Sequence, residues 1–382
     1  LHDALPILKD WEKENDCKVN LTVIPWDKYE ETYTTALNSG EGPDVGYMYN
    51  EMFPTYIDAG AVEDMSSYVT DEDKKEYKYL SNGNMMDGQY GWPLVTGVPF
   101  VLYYNEDILN ALGEKAPETW DDFARICQEA TKDTDGDGKV DQYGFACGMN
   151  TSDIGAMQIL NAYYYSALWQ NGGQVYNDDL KSVSFADEAG KEAVTWLKGL
   201  TSYMNEDFMS LSWSDAFSNV FGAGKAAFGI TRSSQTDGTT FAETYPDLNW
   251  NFVTSLKNKD FGTFGATDCL TLMSACEDKD LAMDFIKYVT SSEFMTAYHA
   301  KCPGAALTES EPYVGDEKME KIYTEDKDKW HGIQAGPCGT QILNQLAADF
   351  QGIMSGETSV DEGLKEAEDY ANGLLDEYWA NK

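Results

Sequence analysis

The sequence predicts an α/β protein folded as two lobes, each a mainly parallel sheet flanked by helices. Three observations predict it. The chain has 382 residues, long for a single core. Short apolar runs of strand length alternate with longer helical runs along its whole length. Neither an internal repeat nor a low-complexity linker interrupts the alternation.

Taken in order, residues 8–15 read as the end of a helix. Val19, Leu21, Val23 and Pro25 read as a strand and its end, and residues 29–37 are helical. Gly40, Gly42 and Pro43 then punctuate the chain before an apolar strand at 44–49. Asn50 caps a short helix and Gly60 stops it. In an open α/β sheet such an elbow lies at the carboxyl end of a strand, where ligands bind. It carries Tyr47, Tyr49, Asn50 and Glu51, which are aromatic and hydrogen-bonding groups rather than catalytic ones. Residues 71–79 form a charged helix or loop, and 89–92 and 97–104 are extended. A short helix at 107–112 stops at Gly113, and Thr119 with Asp122 forms a capping-box pair for the next. Residues 154–170 form an aromatic helix closed by Asn171, Gly172 and Gly173, with Tyr165 and Trp169 on one face. Asp187 caps a helix running to Tyr203. Strands come next at 226–230, 250–255 and 267–274, then helices at 280–291, 342–354 and 360–378.

The net charge of −39 excludes a general affinity for nucleic acid or anionic membrane. No run of eighteen apolar residues occurs, so no spanning helix is expected. Seven cysteines include no C-x-x-C pair and no zinc spacing; an odd number cannot all pair, and one disulfide stays open. No basic segment followed by an apolar one marks a signal peptide. Ten Trp and 24 Tyr serve the core, and they also suit a flat, wet ligand such as a sugar.

Most catalytic signatures are missing. Gly224-Lys225 is followed by Ala226 and lacks the upstream Gly of a phosphate loop. No G-x-S-x-G or H-E-x-x-H occurs, and His2, His299 and His331 stand far apart. The 66 acids leave a paired-carboxylate glycosidase open. Asp133, Asp135, Asp137 and Asp141 alternate around glycines as a Ca²⁺ loop would, but the closing Glu position is Gly144. The segment is either a structural Ca²⁺ site or an Asp/Gly-rich turn. Tyr163, Tyr164, Tyr165 and Trp169 are core or ligand wall. Arg232, one of two arginines, comes directly after a strand; it fork-bonds ligand hydroxyls or a carboxylate, or lies in a surface ion pair. Trp330 sits in a loop at 330–336, as a binding residue or a packed one.

Four separated signatures then occur in a fixed order. They are Gly42-Pro43-Asp44-Val45 with Ile57-Asp58-Ala59-Gly60; Gly97-Val98-Pro99 leading into Leu102-Tyr103-Tyr104-Asn105 and Asp107; Pro117-Glu118-Thr119-Trp120-Asp121-Asp122-Phe123; and Phe221 followed by Gly224-Lys225-Ala226-Ala227-Phe228. With the loop at 133–144 and the closing stretch at 359–364, the chain from about Leu8 resembles the extracellular solute-binding proteins of family 1, the maltose-binding-like sugar receptors of ABC importers. The resemblance implies a periplasmic-binding-protein-like clamp crossed three times, near 101–104, 264–267 and 302–306. One lobe would hold residues 1–101 and 267–302, the other 104–264 and 306–382. Ligand contacts would fall at Asn50, Glu51, Thr96, Tyr164, Tyr165, Arg232 and Ser233, and more loosely at Trp330 and Gln341, with no catalytic residue. The implied partners are a sugar or oligosaccharide and an ABC permease, with no nucleic acid, for a monomer in the periplasm or anchored outside the membrane as a lipoprotein. No cofactor is implied beyond a structural Ca²⁺. Family members open with a strand before the first helix. Residues 1–7 do not read as that strand, so a truncated or mis-assembled N-terminus is expected. The other functions left open are a carbohydrate-active hydrolase, a receptor of this fold for a non-sugar solute, and a sensor or adhesin.

Overall fold

The structure, a computed structural model, describes residues 5–25, 28–40, 42–86, 88–151, 156–235 and 239–382. The chain divides into two compact units, Leu1–Val98 with Ala266–Thr324 and Pro99–Gly265 with Glu325–Lys382. The third division thus falls at 324/325, later than the expected 302–306. Backbone bonds explain the shift: Ala305 N–H donates to Thr96 O at 3.2 Å and Lys78 N–H to Leu307 O at 2.9 Å, tying this segment to the first unit.

Nine strands occur among the described residues. They are β1 Val45–Tyr49, β2 Asn84–Met85, β3 Gly88–Gln89, β4 Trp92–Thr96, β5 Phe100–Asn105, β6 Tyr143–Ala146, β7 Ala226–Arg232, β8 Trp250–Val253 and β9 Thr267–Leu272. The first unit holds a sheet ordered β1-β9-β4 and a small β2-β3 ribbon; the second holds β6-β7-β5-β8. The α/β class stands, but the expected parallel pairing does not. Among the described pairs only β6–β7 is parallel. A parallel neighbour needs a crossover within its own sheet. The central strands β5 and β9 instead begin just after the divisions at 98/99 and 265/266, so the chain delivers them from the other unit.

The β1 edge shows a second departure. β1 pairs with β9 on one side, Tyr47 lying opposite Leu270. The strand expected at 19–23 does not form. Leu21 and Val23 are 40% and 70% exposed. Away from β9, β1 is bonded by side chains of the helix Tyr29–Ser39. Tyr47 N–H donates to the Tyr33 hydroxyl at 2.8 Å, and the Tyr29 hydroxyl donates to Tyr47 O. Residues 5–7 belong to the helix Leu5–Glu14, and residues 1–4 lie outside the described residues.

Local signals behave as their chemistry dictates. Thr119 and Asp122 form a reciprocal capping box for the helix Trp120–Ala130, and Ser359 with Glu362 does the same for Val360–Ala380. Asp187 caps Glu188–Gly199 through Gly190 N–H. Gly60 stops the elbow helix in the left-handed region, φ +65°. Asn50 is no cap: its side chain makes no capping bond, and its Oδ1 lies 3.9 Å from Cys269 Sγ. The first unit's core gathers Trp92, Leu94, Leu270, Leu272, Ile286 and Phe294. In the second, Trp120 stacks on Trp196 at 4.2 Å and donates to Gln170 Oε1 at 2.6 Å. All seven thiols are free, so the open disulfide is not formed. Among the described residues no helix is long and apolar enough to cross a membrane.

Tyr33→Phe removes the acceptor that satisfies Tyr47 N–H. Urea denaturation is expected to show a loss of about 1–3 kcal/mol, whereas Tyr68→Phe, whose hydroxyl meets Asp280 in solvent, stays within about 0.5 kcal/mol.

Candidate functional site

In the first unit the elbow after β1 buries Asn50 and Glu51, each 8% exposed. Glu51 sits in a short helical turn, Asn50–Met52, that the strand feeds directly. Removal from water pushes its carboxyl up to about 7, and the negative charges of Asp268 and Glu30 act in the same direction. Both neighbours are held by tyrosines: the Tyr47 hydroxyl donates to Asp268 and the Tyr49 hydroxyl to Glu30. Burial, followed by the adjacent carboxylate, keeps the Tyr47 phenol well above its ordinary range. Thr96, at the end of β4, is fully buried, and its hydroxyl meets no hydrogen-bond partner among the described residues. The elbow is therefore a desolvated, acid-rich turn suited to holding hydroxyl groups, with one carboxyl poised near neutrality.

In the second unit Arg232 ends β7. Its guanidinium lies 5.5 Å from the Phe100 ring centre and 5.4 Å from that of Trp213, and it donates to Gln158 Oε1 at 2.9 Å. Ser233 comes next, buried, with its N–H donating to Pro99 O at 2.8 Å. The ring of Trp213 under this guanidinium carries a buried Nε1 with no partner among the described residues, and Asn161 Oδ1, three residues on from Gln158, is likewise buried and unpartnered. An unmatched buried donor or acceptor costs about 1–3 kcal/mol unless something else engages it. Sequence reading missed Gln158, Asn161 and Trp213. Helical spacing held a signal for the first two, since 158, 161, 165 and 169 fall on one face.

Other expected contacts lie elsewhere. Tyr164 and Tyr165 are fully buried, Tyr164 against Phe350 and Tyr165 stacked on Trp169 at 5.4 Å. Both rings pack in the core of the second unit, Tyr165 also against Phe264; Ile154, the helix's expected start, lies outside the described residues. Trp330 is buried too, packed so closely over Gly265 that a Cβ there would sit 2.6 Å from the indole. Gln341 is exposed on the first turn of the helix Gly339–Ser355. In the acidic loop, carboxylate oxygens of Asp133, Asp135 and Asp141 come within 4.8 Å of one another. Asp137 stays outside that group and accepts from Lys139 N–H at 2.8 Å. Asp133 accepts from Gly136 N–H at 2.6 Å and Gly138 N–H at 2.8 Å, and these bonds hold its carboxyl below the ordinary range.

Residues 7–312 match the family model described as bacterial extracellular solute-binding protein. That is most of the chain, and the protein belongs to this family. A binding protein of Brucella abortus (strain 2308) is 24% identical over 308 residues, 76% of this chain and 69% of that one. The multiple sugar-binding protein of Streptococcus mutans is 32% identical over 133 residues, 34% of this chain and 31% of that one. Among solved structures, the maltose/maltodextrin-binding domain of Bdellovibrio bacteriovorus bound to maltotriose superposes with a TM-score of 0.76 at 15% identity, covering 98% of this chain and 96% of that one. An ABC substrate-binding protein of Listeria monocytogenes in complex with cycloalternan gives 0.76 at 19%, covering 97% and 95%. The chain shares their fold, and its family is one of binding proteins.

Glu51 gives a pH signature. Below its ordinary value of 4.5 the carboxyl is protonated whether the chain is folded or not. Between 4.5 and about 7 the unfolded chain gives up this proton while the buried carboxyl keeps it, so stability falls as pH rises and the loss is complete once pH passes about 7. Glu51→Gln is therefore expected to match the parent near pH 4 and to exceed it at pH 8 by on the order of 3 kcal/mol, read from urea titrations at the two pH values.

Proposed function

We propose that the protein is the substrate-binding component of an ABC-type carbohydrate importer. It captures a sugar or oligosaccharide without turning it over and delivers it to a membrane permease. The observation that carries this reading is the cluster around Arg232, where a guanidinium lies on two aromatic rings, one with an unmatched buried donor, and bonds Gln158, three residues before the unmatched acceptor of Asn161. A sugar hydroxyl both donates and accepts, so one kind of group satisfies both atoms. The buried Asn50, Glu51 and Thr96 offer the same chemistry in the first unit. Relatives named for multiple sugars and for diacetylchitobiose, and neighbours solved with α-D-tagatose and cycloalternan, support the ligand class.

The same reading places the protein outside the cytoplasmic membrane, as a lipoprotein or in the periplasm, and working as a monomer. It includes a structural Ca²⁺ held by Asp133, Asp135 and Asp141, whose oxygens already converge. Calorimetric titration of the calcium-free chain with Ca²⁺ tests that part: one site lost in Asp135→Asn supports it, and no heat of binding removes it.

The main test is a thermal-shift screen against mono- and oligosaccharides. At least one sugar is expected to raise the melting temperature. Arg232→Ala is expected to weaken that sugar about tenfold or more, about 1.4 kcal/mol or above, with an unchanged circular dichroism spectrum. Stabilisation by polyamines or amino acids alone would overturn the ligand class.

A further inference from the structure

Residues from two helices hold the Arg232 guanidinium: Gln158 at 2.9 Å, and Trp213, whose ring centre lies 5.4 Å away. Each helix contains a turn of unusual geometry close to that contact. The helix Trp213–Ala216 runs on into a π-helical turn, Phe217–Phe221. The aromatic helix contains another, Leu160–Tyr164, before its α-helical part Tyr165–Gln170. A π turn bonds each N–H one residue further back than an α turn does; such turns are rare, and they occur frequently at functional sites.

The extra residue changes the phase of the helix. An α-helix advances by about 100° per residue. Regular α spacing would place Gln158 on the face of Tyr165 and Trp169. One inserted residue swings it off that face, and Trp213 is swung in the same way relative to Phe221. The residues beyond each turn are anchored independently of Arg232. Tyr165 stacks on Trp169 at 5.4 Å and meets Phe264 at 5.7 Å. The Tyr163 hydroxyl accepts from Gly148 N–H at 3.0 Å. Phe221 is fully buried against Gly229 of β7, where a Cβ would sit 2.8 Å from it. The residues before each turn are the ones that meet the guanidinium. Each π turn thus joins an anchored aromatic to a residue on Arg232, and its residue count sets the angle between them. The unmatched buried atoms fall at the same places: Asn161 lies inside the first turn, and Trp213 opens the helix that leads into the second.

We infer that the two π turns are positioning elements of the Arg232 site, aiming Gln158 and Trp213 at the guanidinium. The inference rests on the sugar-receptor reading and goes further: affinity depends on the number of residues in these turns as well as on the identity of the contact residues.

Asn219, exposed in the second turn, separates count from side chain. Asn219→Ala keeps the count; deletion of Asn219 shortens the turn by one residue. The parent and both variants are titrated calorimetrically with maltose, maltotriose and diacetylchitobiose, with a circular dichroism spectrum recorded for each protein. A sugar bound by the parent is expected to bind Asn219→Ala within about twofold and the deletion variant about tenfold or more weakly, the spectra staying unchanged. Equal affinity in all three proteins, or an equal loss in both variants, would overturn the inference and leave the receptor reading intact. Where the deletion variant fails to fold, hydrogen exchange of the parent with and without the bound sugar decides. Exchange slowed at 160–164 and 217–221 relative to the helix Val360–Ala380 supports the positioning role, and no slowing at either turn overturns it. No binding of any of the three sugars by the parent would overturn both readings.

Discussion

A continuous run of aromatic rings organises the second unit. Trp213 meets Phe100 at 5.1 Å, Phe100 meets Phe264 at 6.2 Å, and Phe264 meets Tyr165 at 5.7 Å. Tyr165 stacks on Trp169, and Trp169 meets His331. Each such pair adds about 0.5–1.5 kcal/mol beyond its buried area. The run joins the helix Trp213–Ala216, the first strand after the division at 98/99, the loop before β9, the aromatic helix and the loop after Trp330. Arg232 lies against one end of it and His331 is at the other. The interior rings, Phe100, Phe264 and Tyr165, are buried.

The two units solve the problem of presenting polar groups in different ways. The first uses carboxylates, and tyrosine hydroxyls restrain Asp268 and Glu30 beside the buried Glu51. The second uses a cation on aromatic faces and carboxamides. An overall charge of −39 makes the second arrangement the less expected one, because acids are abundant and arginines number two. Rings and a neutral amide, rather than carboxylates, are the partners shown for the arginine in this second arrangement. That is the setting Arg232 has.

Legibility from sequence tracked the range of the interaction. The Thr119–Asp122 and Ser359–Glu362 boxes, the Gly60 and Gly113 stops and the pairing of Tyr165 with Trp169 each involve residues within a few positions, and all were readable. The strand at 19–23 was not, because apolar alternation is only half of a strand; the other half is a neighbour, and away from β9 the bonds to β1 come from tyrosines 29 and 33. The burial of Trp330 depends on Gly265, 65 positions away, where the missing side chain leaves room for the indole. The Arg232 site was half visible. Its position after a strand could be read, but Gln158 and Trp213 are brought to it by folding from 74 and 19 residues away.

The tyrosine hydroxyls at Tyr47 have a colloidal consequence. An open sheet edge is a template for strands of other molecules, and proteins usually guard it with lysine, proline or a bulge. Here the guard is a pair of phenols that mimic a strand's own donor and acceptor without offering the next free position. Burial raises both phenols, so they remain protonated in alkaline conditions as well as neutral ones. The edge of β1 thus resists recruitment into intermolecular β-structure at Tyr47, a useful property for a chain whose Leu21 and Val23 face solvent close by in sequence.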